Sequence, residues 1–254
     1  RALAAGADPR RIVFSGVGKT AAEMELALAA DILCFNVESA PELDRLSAVA
    51  GRLGKTAPIS LRVNPDVDAK THPYISTGLK ENKFGVAYEE ALALYRHAAS
   101  LPNLTISGID CHIGSQLLDP APFAAALDKI LTLVDQLAAN GIVLHHIDLG
   151  GGLGIRYRDE DAPTVQAYLQ PMLQKLRDRH LQVLLEPGRR LVGNAGLLLT
   201  RVEYLKPGEV KNFAIVDAAM NDLARPALYG SWHDIVPVVA PQGATKPWEI
   251  VGPV

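Results

Sequence analysis

The sequence predicts an α/β fold: a (β/α)8 TIM barrel with six of its eight units present, followed by the start of a mostly β C-terminal domain. Short apolar runs alternate with amphipathic stretches of helical length. Polar and glycine residues cluster directly after each apolar run, at the strand ends where a barrel carries its site. After Arg189 the alternation stops, and Pro207, Gly208, Pro226, Gly230, Pro237, Pro241, Gly243 and Pro247 punctuate short extended pieces.

In chain order, strands are expected at 11–14, 32–36, 59–63, 106–112, 146–149 and 183–185. Helices are expected at 21–30, 40–53, 88–100, 122–139 and 164–179, the second starting at Pro41-Glu42 with Ser39 as N-cap. Several strands read as apolar on both faces, as a covered parallel sheet requires. The polar clusters are Ser15-Gly16 and the segments 36–39, 62–65, 112–116, 150–152 and 186–189. A doubly wound sheet would gather its site at one switch point, so polar ends on every strand favour the barrel. Residues 1–194 are therefore expected to be the barrel and 195–254 the beginning of the β domain. The chain starts in what reads as a helix's last turn and stops in an apolar run, so it reads as a fragment truncated at both ends.

The chain has 254 residues, 48% hydrophobic, with a formal net charge of −3. That length supports a full core. Nothing is strongly basic, which argues against nucleic acid as a partner. No apolar run reaches the length of a membrane span, and the start lacks the pattern of a signal peptide. Cys34 and Cys111 form no C-x-x-C pair and read as buried, reduced thiols of a cytoplasmic protein.

The string VFSGVGKT (13–20) ends like a phosphate-binding P-loop. That loop is G-x-x-x-x-G-K-[ST], and its first glycine would fall on Val13. A β-branched residue cannot supply that turn. The alternative is a strand, a tight Ser15-Gly16 turn and a helix.

Three further strings carry chemistry. Gly150, Gly151 and Gly152 follow a strand: either an ordinary turn or a backbone cradle for an anion. Glu186-Pro187-Gly188-Arg189 also ends a strand. An isolated Glu–Arg pair is by default a salt bridge. A carboxylate projecting from the dry run 183–185 needs a cationic partner, and a protonated heterocyclic nitrogen would serve. His112-Ile113-Gly114-Ser115 offers a flat ring and a hydroxyl. Combining His112 with His145 and His146 lacks the H-x-H or H-x-x-x-H spacing of a metal site, so no metal is expected. MNDLARPALY (220–229) has neither period and presents Arg225 and Tyr229, either as a solvated surface loop or as a carboxylate clamp.

Taken in order, FSGVGKT, FNVES, LRVNPDVDAKTHPYISTG, KFG, CHIGSQ, DLGGGLG, EPGR and MNDLARPALY resemble the PLP-dependent decarboxylases of the alanine-racemase-like fold, and within them the diaminopimelate decarboxylases. EPGR alone is weak; the ordered set covers nearly the whole chain. The resemblance implies pyridoxal 5'-phosphate as cofactor and decarboxylation of meso-2,6-diaminopimelate to L-lysine, the last step of lysine biosynthesis. His112 would stack on the pyridine ring. Ser115 and Gly150–Gly152, chiefly Gly152, would hold the phosphate. Glu186 would keep the ring nitrogen protonated, and Glu186, Pro187, Gly188 and Arg189 would line the cofactor site. Arg189, Arg225 and Tyr229 would bind the remote carboxylate of a small-molecule amino-acid substrate. A homodimer with composite active sites is implied as well. The family's Schiff-base lysine and its cysteine proton donor match no residue of this chain, neither Lys19 nor Lys83, neither Cys34 nor Cys111. The fragment by itself is therefore expected to be inactive. The alternatives are a sibling decarboxylase acting on arginine, ornithine or a carboxylated polyamine, whose cationic tail Arg225 would repel, or a non-catalytic relative.

Overall fold

The computed structural model describes residues 1–67, 83–240, 242, 243 and 245–254. The later part of the string 61–78 lies outside the described residues, as does Pro241. The chain divides into two compact units: Arg1–Gly154 with Pro163–Arg189, and Ile155–Ala162 with Arg190–Val254. The sequence reading places 155–162 in the barrel; in the structure these residues group with the second unit.

The first unit is an all-parallel sheet crossed by helices. Its strands are β1 (Val13–Phe14), β2 (Cys34–Val37), β3 (Ala57–Asn64), β4 (Val86–Ala87), β5 (Leu104–Asp110), β6 (His146–Asp148) and β7 (Gln182–Leu184). Its helices are α1 (Ala21–Ala29), α2 (Ala40–Arg52), α3 (Tyr88–Ser100), α4 (Ala121–Ala139) and α5 (Val165–Leu176). The sheet order is β1-β2-β3-β5-β6-β7, with β4 paired to the end of β3. Strands neighbour one another in chain order, as βαβ units of one hand lay them down. Laid flat, six strands would separate β1 from β7 by about 24 Å. Instead Ser15 after β1 donates a hydrogen bond to Glu186 after β7 at 3.2 Å, so the sheet is curled into a barrel wall.

Period-two alternation gives that wall two faces. Phe35, Val37, Ile59, Leu61, Val63, Ile109 and Ile147 join the core beneath the helices. Helix α2 meets them with Leu43, Leu46 and Ala50, one stripe at helical spacing. The opposite face carries buried polar groups: Asn36, Ser60, Arg62, Asn64, Asp110 and Asp148. This corrects the expectation of strands apolar on both sides, and it places hydrogen-bonding groups inside the barrel. Tyr95 of α3 is fully buried, and its hydroxyl donates to the Gly108 carbonyl at 2.8 Å.

Helix starts are defined locally. Thr20, the last residue of the VFSGVGKT string, caps α1: its hydroxyl accepts from the Glu23 N–H at 3.3 Å, and the Glu23 carboxylate accepts from the Thr20 N–H at 2.8 Å. This reciprocal pair is a capping box. Ser39 has the extended backbone of an N-cap before α2, but its side chain makes no capping bond. The Glu42 carboxylate accepts from the Glu38 N–H at 2.9 Å instead.

The second unit contains β8 (Val202–Lys206), β9 (Phe213–Val216) and β10 (Glu249–Val251), with the short helices α6 (Arg189–Val192) and α7 (Arg225–Tyr229) nearby in sequence. Strand β9 is central, antiparallel to β8 and parallel to β10.

Candidate active site

In-register pairing brings the C-terminal ends of the strands to one rim. Arg62, Asp110, Asp148 and Leu184 are partners across β3, β5, β6 and β7. The residues beyond them extend the pairing: the Cys111 N–H donates to the Asp148 carbonyl (3.0 Å), that of Leu149 to Leu184 (3.1 Å) and that of Glu186 to Gly150 (2.8 Å). Two residues past each strand, His112, Gly150 and Glu186 therefore lie side by side.

The glycines are sterically required there. A Cβ on Gly151 would overlap the Glu186 carbonyl, and one on Gly152 would overlap the Gly114 carbonyl. Gly150 has φ +64° and Gly152 φ +104°, conformations open to glycine and costly to other residues. The loop after β6 thus lies directly against 111–117, and the Leu117 N–H donates to the Gly152 carbonyl at 2.9 Å. The Gly150 N–H is used by the Asp148 carboxylate (2.9 Å), and the Gly151 N–H by Nδ1 of His112 (3.1 Å). The Gly152 N–H has no protein acceptor among the described residues.

That bond from Gly151 fixes the state of His112. Nδ1 accepts, so the proton sits on Nε2. Burial, helped by the Arg62 charge, pushes the imidazole down to about 4. The 4.0 Å approach of Nδ1 to Glu186 is therefore a contact of a neutral ring with a carboxylate, not an ion pair.

A polar network lies under the rim. Asn36 donates to the Ser15 hydroxyl at 3.1 Å and reaches Asp148 at 3.5 Å; its carbonyl oxygen accepts from Ser60. Burial and the neighbouring Glu186 push Asp148 up to about 6, while Asp110 is held well above the usual carboxylate range by burial and by Asp148. One Asp110 oxygen and Nε of Arg62 are buried without a partner among the described residues.

Lys19 is 5% exposed, and its ammonium donates to the Gly16 carbonyl (2.8 Å), the Asn36 carbonyl (2.6 Å) and Glu42 (2.7 Å). All three donors are satisfied, so Lys19 is a structural cation that ties the loop after β1 to β2. Glu38 extends this tie by accepting the Gly16 N–H and the Gly85 N–H, each at 3.0 Å.

A cavity of about 580 Å³ opens between the edge strands, lined among others by Val13, Leu33, Asp148, Leu184 and Glu186. Glu186 is half-exposed there, and Leu185 is 39% exposed, because β7 is an edge strand. The run leading to Glu186 is thus wetter than expected. Arg189 donates to the Gln116 side chain at 3.0 Å, and Gln116 has φ +59°.

In the second unit, the string 220–229 contains a five-residue helix, α7, where the sequence reads as a Pro-containing turn of neither period. Arg225 and Tyr229 stand four residues apart on it, and the guanidinium lies 5.2 Å from the Tyr229 ring and 5.8 Å from the Tyr157 ring. Its Nη2 donates to Ser231 at 3.1 Å, while Nε is buried without an acceptor among the described residues.

Residues 1–193 match the family described as "Pyridoxal-dependent decarboxylase, pyridoxal binding domain". The chain belongs to the pyridoxal-dependent decarboxylases. Relatives of this chain include proteins named diaminopimelate decarboxylase from Neisseria meningitidis (serogroup A), 63% identical over the whole chain and 63% of that protein, and from Vibrio cholerae, 60% identical over the whole chain and 61% of that protein. The chain thus spans about three-fifths of the length of these relatives. Among solved structures, diaminopimelate decarboxylase from Helicobacter pylori complexed with L-lysine matches the whole chain and 63% of its own, with a TM-score of 0.93 at 47% identity. The enzyme from M. jannaschii in co-complex with L-lysine matches 60% of its own chain, with a TM-score of 0.89 at 38% identity.

The rim fits the cofactor that this decarboxylase family implies, pyridoxal 5'-phosphate. It offers a cradle that only glycine backbone leaves open, a carboxylate with one oxygen engaged by Ser15 and the other directed toward the His112 side, and a neutral imidazole beside it. Sequence reasoning placed Ser15 and Asn36 among the polar clusters at the strand ends but gave neither a role, and it did not single out Asp110, Asp148 or Lys19 as parts of this end of the barrel. The D of DLGGGLG and the K of FSGVGKT were visible as letters, but their partners lie many residues away.

Proposed function

We propose that the protein carrying this chain decarboxylates meso-2,6-diaminopimelate to L-lysine and carbon dioxide. The observation that carries this reading is the meeting of His112, the glycine loop and Glu186 at one rim of a pyridoxal-dependent decarboxylase barrel. The choice of substrate draws on the names of the relatives and on the lysine complexes of the structural neighbours.

The bound cofactor supplies an electron sink for the electrons released when the carbon–carbon bond breaks. The protein's residues hold and tune it. Glu186 would pair with the pyridine nitrogen and keep its proton in place. His112, held as a neutral imidazole, would stack on the ring. The Gly152 N–H, with Ser115, would hold the phosphate, while Gly150 and Gly151, whose N–H groups are taken by Asp148 and His112, would shape the loop around it. Pro187, Gly188 and Arg189 line the same site. Arg189, Arg225 and Tyr229 bind the substrate's remote carboxylate; the aromatic rings beside Arg225 hold its guanidinium ready for bidentate contact.

The same reading makes the protein a cytoplasmic homodimer with composite sites and no nucleic-acid partner. Cys34 and Cys111 are free and buried, and burial pushes the Cys34 thiol up to about 11, the behaviour of inert reduced thiols. Among the described residues no helix is long and apolar enough to cross a membrane.

The test follows carbon dioxide release from meso-diaminopimelate by the protein that carries this chain, supplied with pyridoxal phosphate, with arginine, ornithine and lysine as rival substrates. Release from diaminopimelate alone is expected. Release from a cationic amino acid would move the protein to a sibling activity, and none from any substrate would favour a non-catalytic relative.

A further inference from the structure

We infer that Ser15 is a positioning residue for Glu186, aiming one carboxylate oxygen at the cofactor's ring nitrogen. The inference rests on the reading of Glu186 as the partner of that nitrogen. Ser15 sits in the turn of the VFSGVGKT string, which the rejected nucleotide reading left without a purpose. Its hydroxyl donates to Oε1 of Glu186 at 3.2 Å, across 171 residues of sequence. The hydroxyl has one proton to give. Asn36 donates to its oxygen at 3.1 Å, so that proton is directed to Glu186. Asn36 is oriented in turn by Ser60, which donates to its carbonyl oxygen.

The relay therefore runs Ser60, Asn36, Ser15, Glu186, across β3, β2, β1 and β7. Its backbone is anchored too. Gly16, next to Ser15, gives its N–H to Glu38 at 3.0 Å and its carbonyl to Lys19 at 2.8 Å. Lys19 also holds the Asn36 carbonyl at 2.6 Å. A buried cation thus fixes both the donor loop and the strand that orients it. Only Oε1 is engaged by Ser15. Oε2 is left on the side where Nδ1 of His112 stands 4.0 Å away. A half-exposed carboxylate two residues past an edge strand would otherwise rotate among several rotamers. The Ser15 bond selects one of them.

The test uses the protein that carries this chain, freed of cofactor. It is titrated with pyridoxal phosphate and with its 1-deaza analogue, in which carbon replaces the ring nitrogen, while the absorption of the bound cofactor is followed. Glu186→Gln should weaken pyridoxal phosphate and leave the deaza analogue nearly unchanged. Ser15→Ala should raise the dissociation constant for pyridoxal phosphate about fivefold, the size of one hydrogen bond, and leave the analogue unchanged. Ser15→Thr should restore wild-type binding, and Ser15→Ala should add nothing in the Glu186→Gln background. Melting of the cofactor-free protein reports whether each variant folds, and Ser15→Thr keeps the comparison usable if Ser15→Ala does not. Equal weakening of both cofactors by Ser15→Ala would overturn the inference by making the role merely structural. No effect of Ser15→Ala while Glu186→Gln discriminates would also overturn it. If Glu186→Gln itself fails to discriminate, the reading of Glu186 falls and the inference falls with it.

Discussion

Asp148 carries a raised folded value, about 6 against an ordinary 3.8, with burial as the first cause and Glu186 as the second. The folded state therefore holds more protons than the unfolded state between those values. The associated stability is fully present below 3.8 and is lost as pH rises through about 6. Asp148→Asn removes this loss and leaves the opposing slope from His112 in both proteins. Unfolding of the cofactor-free protein should show the variant gaining on the wild type between pH 4 and pH 7, by on the order of 2–3 kcal/mol. A difference that does not change with pH would contradict the assignment. Gly151 makes a second residue-scale case, because any Cβ there meets the Glu186 backbone. Gly151→Ala should lower stability by about 1–3 kcal/mol and weaken cofactor binding with it, read from melting and cofactor titration.

The loop after β1 shows how an element depends on a buried charge. Lys19 and Glu42 are paired at 2.7 Å with almost no exposure. Removing one partner leaves the other charge uncompensated, so Lys19→Met should cost about 3–5 kcal/mol in denaturant unfolding. The double variant Lys19→Met with Glu42→Leu should recover a large part of that loss; strict additivity would contradict the pairing. Helix α7 makes a prediction of its own. Arg225→Ala should raise KM for diaminopimelate well above its effect on cofactor binding, because in the proposed reading the guanidinium grips the substrate and not the ring. Equal loss of cofactor affinity would place Arg225 elsewhere. The elements themselves were largely legible. Apolar runs such as 59–63 and 146–149 mark strands, and the stripe Leu43, Leu46, Ala50 marks a helix. Strand β4 was not legible, because Val86–Ala87 is too short to show a period. Nor was the helical character of the Pro-containing turn at 225–229, a single turn with Pro226 as its second residue. Ser39 is the N-cap of α2 as read, but the missing side-chain bond was not legible, nor was the carboxylate of Glu42 accepting the Glu38 N–H.

For the whole molecule, local pattern and long-range closure part company. The alternation of strands and helices is written in neighbouring residues, and it predicts the barrel wall. The polar lining needs closure: Asn36 meets Asp148, and Ser15 meets Glu186, only because the sheet curls. No spacing rule joins residues 15 and 186. The grouping of Ile155–Ala162 with the second unit is illegible for the same reason. The chemistry assigned to the molecule rests on that curled rim. The most direct measurement is the stoichiometry of products from meso-diaminopimelate, made with the protein that carries this chain, with and without added pyridoxal phosphate. One lysine for each carbon dioxide, formed only with the cofactor, is the predicted result. Carbon dioxide without lysine, or lysine formed equally well by the cofactor-free protein, would contradict the account.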